Sequence, residues 1–157
     1  MLITTSRKPS QRTRTFCRGM ERVIDSYCVN RGKMSIRKVF LKAKEMEFDR
    51  VVIISERDGN PGGLDIYLEN KLILSKKITV DLSAPNGNMK KDQTVLRCDF
   101  ETFKNMAVSI FDVPMENPQE KTKKNLIWIK DIQKYQGIIE FYDSKGLLNG
   151  PRIFLHQ

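Results

Sequence analysis

The chain is poor in the residues that most catalytic centres need. Its one histidine, His156, is penultimate, so no histidine-based triad and no Cys/His spacing suited to zinc can be assembled. Cys17, Cys28 and Cys98 are an odd number without a CxxC pair, and read as reduced, intracellular and core-filling. Long apolar runs are missing too. The most apolar stretch, Val51-Val52-Ile53-Ile54, is far below the ~18 residues of a membrane span. The start, Met1 to Lys8, lacks the layout of a secretory signal, and there is no Asn-x-Ser/Thr site. A cytoplasmic protein is expected. The glycine turn 59–63 does not fit GxxxxGK[ST], which excludes a P-loop hydrolase. Acids are scarce where cations are dense: residues 1–44 contain only Glu21 and Asp25, too few for a metal-dependent nuclease there. Glu56, Arg57 and Asp58 read as the solvated end of a strand. Neither cofactor nor metal is expected, and the protein is not expected to be an enzyme.

What is present is charge, unevenly placed. The 157 residues carry +9, but residues 1–44 alone hold 12 cations and 2 acids, whereas the remainder sums to −1. Such concentration points to a polyanionic partner. With 39% hydrophobic residues, the chain can still bury a core of one domain, or of two small halves sharing one.

Periodicity lays out an α/β order. Leu2–Thr5 reads as a strand, broken at Ser6–Ser10, where Pro9 favours extended geometry at Lys8. A helix is expected over 11–27, with Phe16, Cys17, Met20, Val23, Ile24 and Tyr27 inward and Arg14, Arg18 and Arg22 outward. Gly19 within it suggests close packing. Ser35 is an expected N-cap for a helix to about Phe48. The apolar run 50–55 fits a strand covered on both faces, followed by a turn at 58–63 and strands at 64–69 and within 72–82. After a polar loop at 83–93, a strand at 94–99 precedes a helix over 100–113 with Phe103, Met106, Ala107 and Ile110 inward. A loop at 114–124 leads to strands near 126–129, 137–143 and 152–156. The second half repeats the first: an ungapped shift of 74 lays Val52 on Leu126, Gly63 on Gly137 and Tyr67 on Phe141, one further residue matches Ile78 with Ile153, and a shift of 67 lays the helix 36–43 on 103–110.

The densest constellation is Arg7, Lys8, Arg12, Arg14 and Arg18 around the entry to the first helix, joined by Arg31, Lys33, Arg37 and Lys38 near the second. A helix start after a strand offers unpaired backbone N–H groups and the positive end of a dipole, which suits phosphate. These nine cations are the expected RNA-binding residues. Tyr27, Tyr67, Trp128, Phe141 and Tyr142 are spaced as core residues are, so recognition through backbone charge is favoured over base stacking.

The stretch Leu2-Ile3-Thr4-Thr5-Ser6-Arg7-Lys8-Pro9-Ser10, with Arg12 and Phe16 after it, resembles the opening signature of the Brix-domain ribosome-biogenesis proteins. The resemblance continues through Asn30-Arg31-Gly32, Asp49 and Glu56-Arg57-Asp58-Gly59-Asn60-Pro61-Gly62-Gly63-Leu64; beyond Leu82 it is one of length and pattern. Being little more than the domain, the chain looks like the compact archaeal form. The resemblance implies a single Brix domain over 1–157, with a basic N-terminal half (1–82) and a near-neutral C-terminal half (83–157). The implied fold is α/β and internally duplicated, each half similar to the anticodon-binding domain of class II aminoacyl-tRNA synthetases. The implied role is in ribosomal RNA processing and subunit assembly, with ribosomal RNA or pre-ribosomal particles, other assembly factors or ribosomal proteins as partners and no membrane. The alternative is a protein–protein scaffold in ribosome assembly that binds little RNA directly.

Overall fold

In the computed structural model, which describes residues 1–87 and 89–157, the strands form one sheet flanked by three α-helices. Of the polar loop 83–93, Asn88 lies outside the described residues. In chain order the elements are β1 (Leu2–Thr5), α1 (Gln11–Val23), β2 (Tyr27–Cys28), α2 (Ile36–Glu45), β3 (Arg50–Arg57), β4 (Asn60–Leu68), β5 (Lys71–Asp81), β6 (Thr94–Cys98), α3 (Lys104–Phe111), β7 (Asn125–Lys130), β8 (Gly137–Tyr142) and β9 (Leu148–Leu155). Sheet order is β2-β1-β3-β4-β5-β9-β8-β7-β6. No helix is long and apolar enough to cross a membrane among the described residues.

Local chemistry sets the helix starts. Ser10 caps α1 by accepting from the Thr13 amide, and Ser35 caps α2 by accepting from Lys38. The inward residues of α1 alternate at helical spacing and are buried, but the helix stops at Val23. Ile24 is already extended, and Tyr27 enters the two-residue edge strand β2, leaving its ring 49% exposed rather than inward. At the other end of the loop before α1, Lys8 adopts φ +55°, not the extended geometry expected before proline. The turn it makes brings Ser10 against the β3–β4 hairpin, where its hydroxyl donates to the Gly59 carbonyl at 2.7 Å. That tertiary bond outweighs the local preference. Gly19 does pack closely: a Cβ there would lie 2.9 Å from Pro151 Cγ of β9.

β3 is covered on both faces by strict alternation. Val52 and Ile54 join the larger core with α1, α3 and the second half's strands, while Val51 and Ile53 join Leu2 beneath Val39 and Ala43 of α2. Thus α1 and α3 share one face and α2 covers the other. The expected pairing of the helix 36–43 with 103–110 therefore does not hold, because those two helices pack on opposite faces. Phe103, Ala107 and Ile110 face inward as expected, but a short 3-10 turn at 101–103 shortens the helix to Lys104–Phe111, and Met106 is 37% exposed.

The sheet reads the same from both ends. β1 runs parallel to β3 and β6 parallel to β7, and each pair continues through two antiparallel strands to the β5–β9 seam. Registers correspond at 75 residues rather than 74: Val51↔Tyr67 and Ile54↔Leu64 become Leu126↔Tyr142 and Ile129↔Ile139. Since a one-residue slip turns every side chain to the opposite face, the shift of 74 put core-facing Val52 on outward Leu126. At 75 it falls on buried Ile127.

Candidate nucleic-acid interface

β1 and β2 are parallel, and each runs into a helix, so α1 and α2 both begin at the carboxyl end of the same sheet edge, one on each face. This brings 7–14 and 31–38 to one end of the molecule. Arg7 and Lys8 are exposed in the loop, Arg12, Arg14 and Arg18 are exposed on α1, and Lys33, Arg37 and Lys38 are exposed at the start of α2.

These cations have unequal freedom. Arg31 is half-buried and committed: its Nη1 donates to the Thr5 carbonyl at 2.9 Å and its Nε to Met34 at 2.8 Å, tying the turn to the end of β1. Arg12 donates to the Val80 carbonyl of β5 at 3.2 Å, and so points along the sheet. Arg14 and Arg18, with Arg22, line a 430 Å³ groove between α1 and β2 whose other wall includes Tyr27 and Cys28. The predicted surface is thus parcelled: Arg14 and Arg18 on one side of α1, Arg12 on the other, and the α2 cations on the opposite face of the sheet.

The start of α1 is not open to phosphate in the way its sequence suggests. The Glu56 carboxylate sits there, accepting from the Ser10 amide at 2.5 Å and from the hydroxyl of Thr13. Burial pushes this carboxyl up, but the hydrogen bonds from Thr13 and from the Ser10 amide more than offset that and hold its pKa below the usual value. Glu56 is therefore a capping group fixed to the helix dipole, not the solvated strand end expected. The hairpin that carries it also contributes a cation that sequence reasoning passed over. Arg57 lines a 490 Å³ groove with Arg12 and Lys77. Its place within the Glu56–Leu64 signature was the available signal.

Ion pairing divides the chain. Among the described residues, no ion pair involves a residue before Asp49, so none of the nine expected cations has a carboxylate partner. In the second half five cations, Arg97, Lys104, Lys124, Lys130 and Arg152, are paired with carboxylates. Arg97 is bound in a fork by Glu116 at 2.6 and 2.8 Å. Glu140, 4% exposed, takes Lys130 at 2.5 Å, Arg152 at 2.8 Å and the Tyr142 hydroxyl. Burial pushes the Glu140 carboxyl up, and these three donors more than offset it, leaving the pKa below the usual carboxylate range. Hydrogen bonding to Cys17 and burial raise the Cys28 thiol, and burial raises Cys98. Of the aromatics, Phe141 is wholly buried, Tyr67 packs edge-on to Phe40 at 5.1 Å, and Trp128 has Arg97 and Lys130 over its indole at 4.4 and 4.2 Å. Among the described residues, no group of three or more His, Cys, Asp or Glu side chains could hold a metal ion.

No protein-family model matches the chain. Curated relatives do. A probable Brix domain-containing ribosomal biogenesis protein of Methanothermobacter thermautotrophicus is 51% identical over 100% of this chain and 97% of its own length. One of the same description from Methanococcus maripaludis is 32% identical over 98% and 93%. Among solved structures, that of Mil, an archaeal Imp4-like protein, matches with TM-score 0.77 and 25% identity over 100% of this chain and 97% of that one. A probable ribosomal biogenesis protein from Aeropyrum pernix shares the fold at TM-score 0.81 and 24% identity, covering 99% of this chain and 94% of that one. With full-length identity of this order and the shared fold, the chain belongs to the Brix domain-containing ribosomal biogenesis proteins.

Proposed function

We propose that the protein is a non-catalytic ribosome-assembly factor that binds ribosomal RNA through its basic N-terminal surface and assists pre-rRNA processing in the cytoplasm. The observation that carries this reading is the absence of any carboxylate partner for the cations before Asp49 among the described residues. Unneutralised, they repel one another, a cost that phosphates would relieve. Arg14 and Arg18 flank the 430 Å³ groove beside α1, and Arg7, Lys8, Lys33, Arg37 and Lys38 extend the positive field around the same end of the sheet. Arg12 continues it towards Arg57 and Lys77. Arg31 acts by holding the turn in place.

On this reading the protein associates with pre-ribosomal particles, gripping folded RNA by its backbone and releasing it as assembly proceeds. Low base specificity and strong salt dependence follow from phosphate contacts. We further propose that the two halves arose by duplication of one α/β unit similar to the anticodon-binding domain of class II aminoacyl-tRNA synthetases. The repeated strand registers support this. After duplication only the first copy would have kept a cluster of cations at the starts of its helices.

The test is equilibrium binding to a structured ribosomal RNA fragment across a salt series, for the native chain and an Arg7/Arg14/Arg18→Ala variant. Each lost phosphate contact flattens the log–log salt slope by ~0.7–0.9, so three lost contacts flatten it by about 2–3 and weaken binding. Equal slopes for the two proteins would overturn the assigned surface, and no binding by either would overturn RNA binding itself.

A further inference from the structure

The correspondence between the halves leaves one position unfilled. In the first half, α2 lies over Leu2, Val51 and Ile53, with Tyr67 beside them. Register carries these four to Val95, Leu126, Trp128 and Tyr142: Leu2↔Val51 and Val51↔Tyr67 become Val95↔Leu126 and Leu126↔Tyr142. The edge strand has its counterpart as well, since Met115 bridges to Leu96 in parallel, as Cys28 pairs with Ile3. Between Cys28 and β3 the chain builds α2; between Met115 and β7 it has only the nine residues 116–124, which form no helix. α3 cannot substitute, because it packs on the other face with α1. The four seat residues instead line an open groove of about 660 Å³.

We propose that this groove is a docking seat for an amphipathic helix of a protein partner, about as long as α2, apolar where it enters and acidic along its flanks. The floor supplies Leu126, Val95 and the rings of Trp128 and Tyr142, the match for a stripe such as Val39, Phe40, Ala43 and Met46 of α2 and its C-terminal end. The rim selects the flanks. Arg97 and Lys124 are held by Glu116 and Glu120, but Lys123 and Lys145 have no ion-pair partner among the described residues and face the groove mouth. An RNA strand is the poorer occupant, since the carboxylates of Glu116, Glu120 and Asp143 line the same groove and oppose its phosphates.

Trp128 is the only tryptophan, so its emission reports on the groove directly. The probe is a 15-residue peptide, stapled on its outer face, that carries Val, Phe, Ala and Met at the spacing of Val39, Phe40, Ala43 and Met46, with glutamates at the flanking positions. Titrated into the full chain, it should shift Trp128 emission saturably. Leu126→Glu should weaken binding by about tenfold or more, because it puts an unpaired charge under an apolar contact. Lys123→Glu with Lys145→Glu, at exposed positions that leave the fold alone, should weaken it by about threefold and make it less salt-sensitive. No change in Trp128 emission at millimolar peptide would overturn the proposal, as would equal binding to the native chain and the lysine double variant. Quenching of Trp128 by single-stranded RNA, lost in that double variant, would assign the groove to RNA and overturn it too.

Discussion

Arg14 on α1 and Arg152 on β9 lie on the same sheet-bound domain, but in different electrostatic worlds. Arg14 has only the Pro9 carbonyl at 3.5 Å, whereas Arg152 bridges Glu140 at 2.8 Å and Asp81 at 3.5 Å. The two halves share strand order and register, so the fold does not dictate the difference; it lies in which side chains were placed on a common frame. In the second half, carboxylates spend the cations on holding the outer sheet face. In the first, that face is covered by α2, and the cations before Asp49 have no carboxylate partner among the described residues. Family membership establishes a role in ribosome biogenesis; the asymmetry indicates which end of the domain would meet RNA.

The largest effect expected is on the shared core, where the halves are unequal. Phe16 of α1 is fully buried, whereas Phe103, in the turn that leads into α3, is partly buried. Phe16→Ala should cost about 3–5 kcal/mol in chemical denaturation, with Phe103→Ala clearly less. Equal losses would mean that α3 is as deeply seated as α1. Next comes the paired half. Glu140→Gln removes the charge and turns one of the two acceptor oxygens into an NH2 donor but leaves Lys130 and Arg152 able to turn partly to water, so a loss of about 2–3 kcal/mol is expected. RNA affinity should not change.

The same carboxylate predicts an acid response. Its pKa is depressed in the folded state, so its contribution is fully present above the unfolded value of about 4.3 and is lost as pH falls through the lower folded value. Stability measured from pH 6 to pH 3 should therefore fall less steeply in Glu140→Gln than in the native chain. Glu56→Ala, which strips the amide and hydroxyl at the start of α1 of their acceptor, should cost about 1 kcal/mol. The smallest effect should come from the unpaired cations: Arg14→Ala with Arg18→Ala ought to stay within about 0.5 kcal/mol of native stability while lowering RNA affinity. A large stability loss there would mean that these arginines are structural, and the contrast between the halves would disappear.

Much of the frame was legible in the sequence because it is local. Ser10 and Ser35 precede apolar residues at helical spacing, and the run 51–54 is too continuously apolar for a strand with a wet face. The misses are where distant residues decide. β2 is two residues long and has no period to detect. Glu56 looks solvated until a residue 46 positions away is folded onto it. The correspondence of strands between the halves was read one residue out of step, since neighbouring apolar residues on a strand covered on both faces match equally well in either register; only burial distinguishes Ile127 from Leu126. Of the candidate site, the cluster of cations was visible as composition. The commitment of Arg31 to backbone carbonyls, and the division of the rest by α1 and by the sheet, depend on tertiary placement.

The most direct test of the contrast is arginine side-chain NMR, following the Nε–Hε signals while a structured ribosomal RNA fragment is titrated into the full chain at moderate salt. Arg7, Arg14, Arg18 and Arg37 should shift or broaden early in the titration. Arg31, Arg97 and Arg152, held by carbonyls or carboxylates, should stay in place. Perturbation of Arg97 and Arg152 with the α1 arginines unmoved would contradict the account, placing the RNA on the second half.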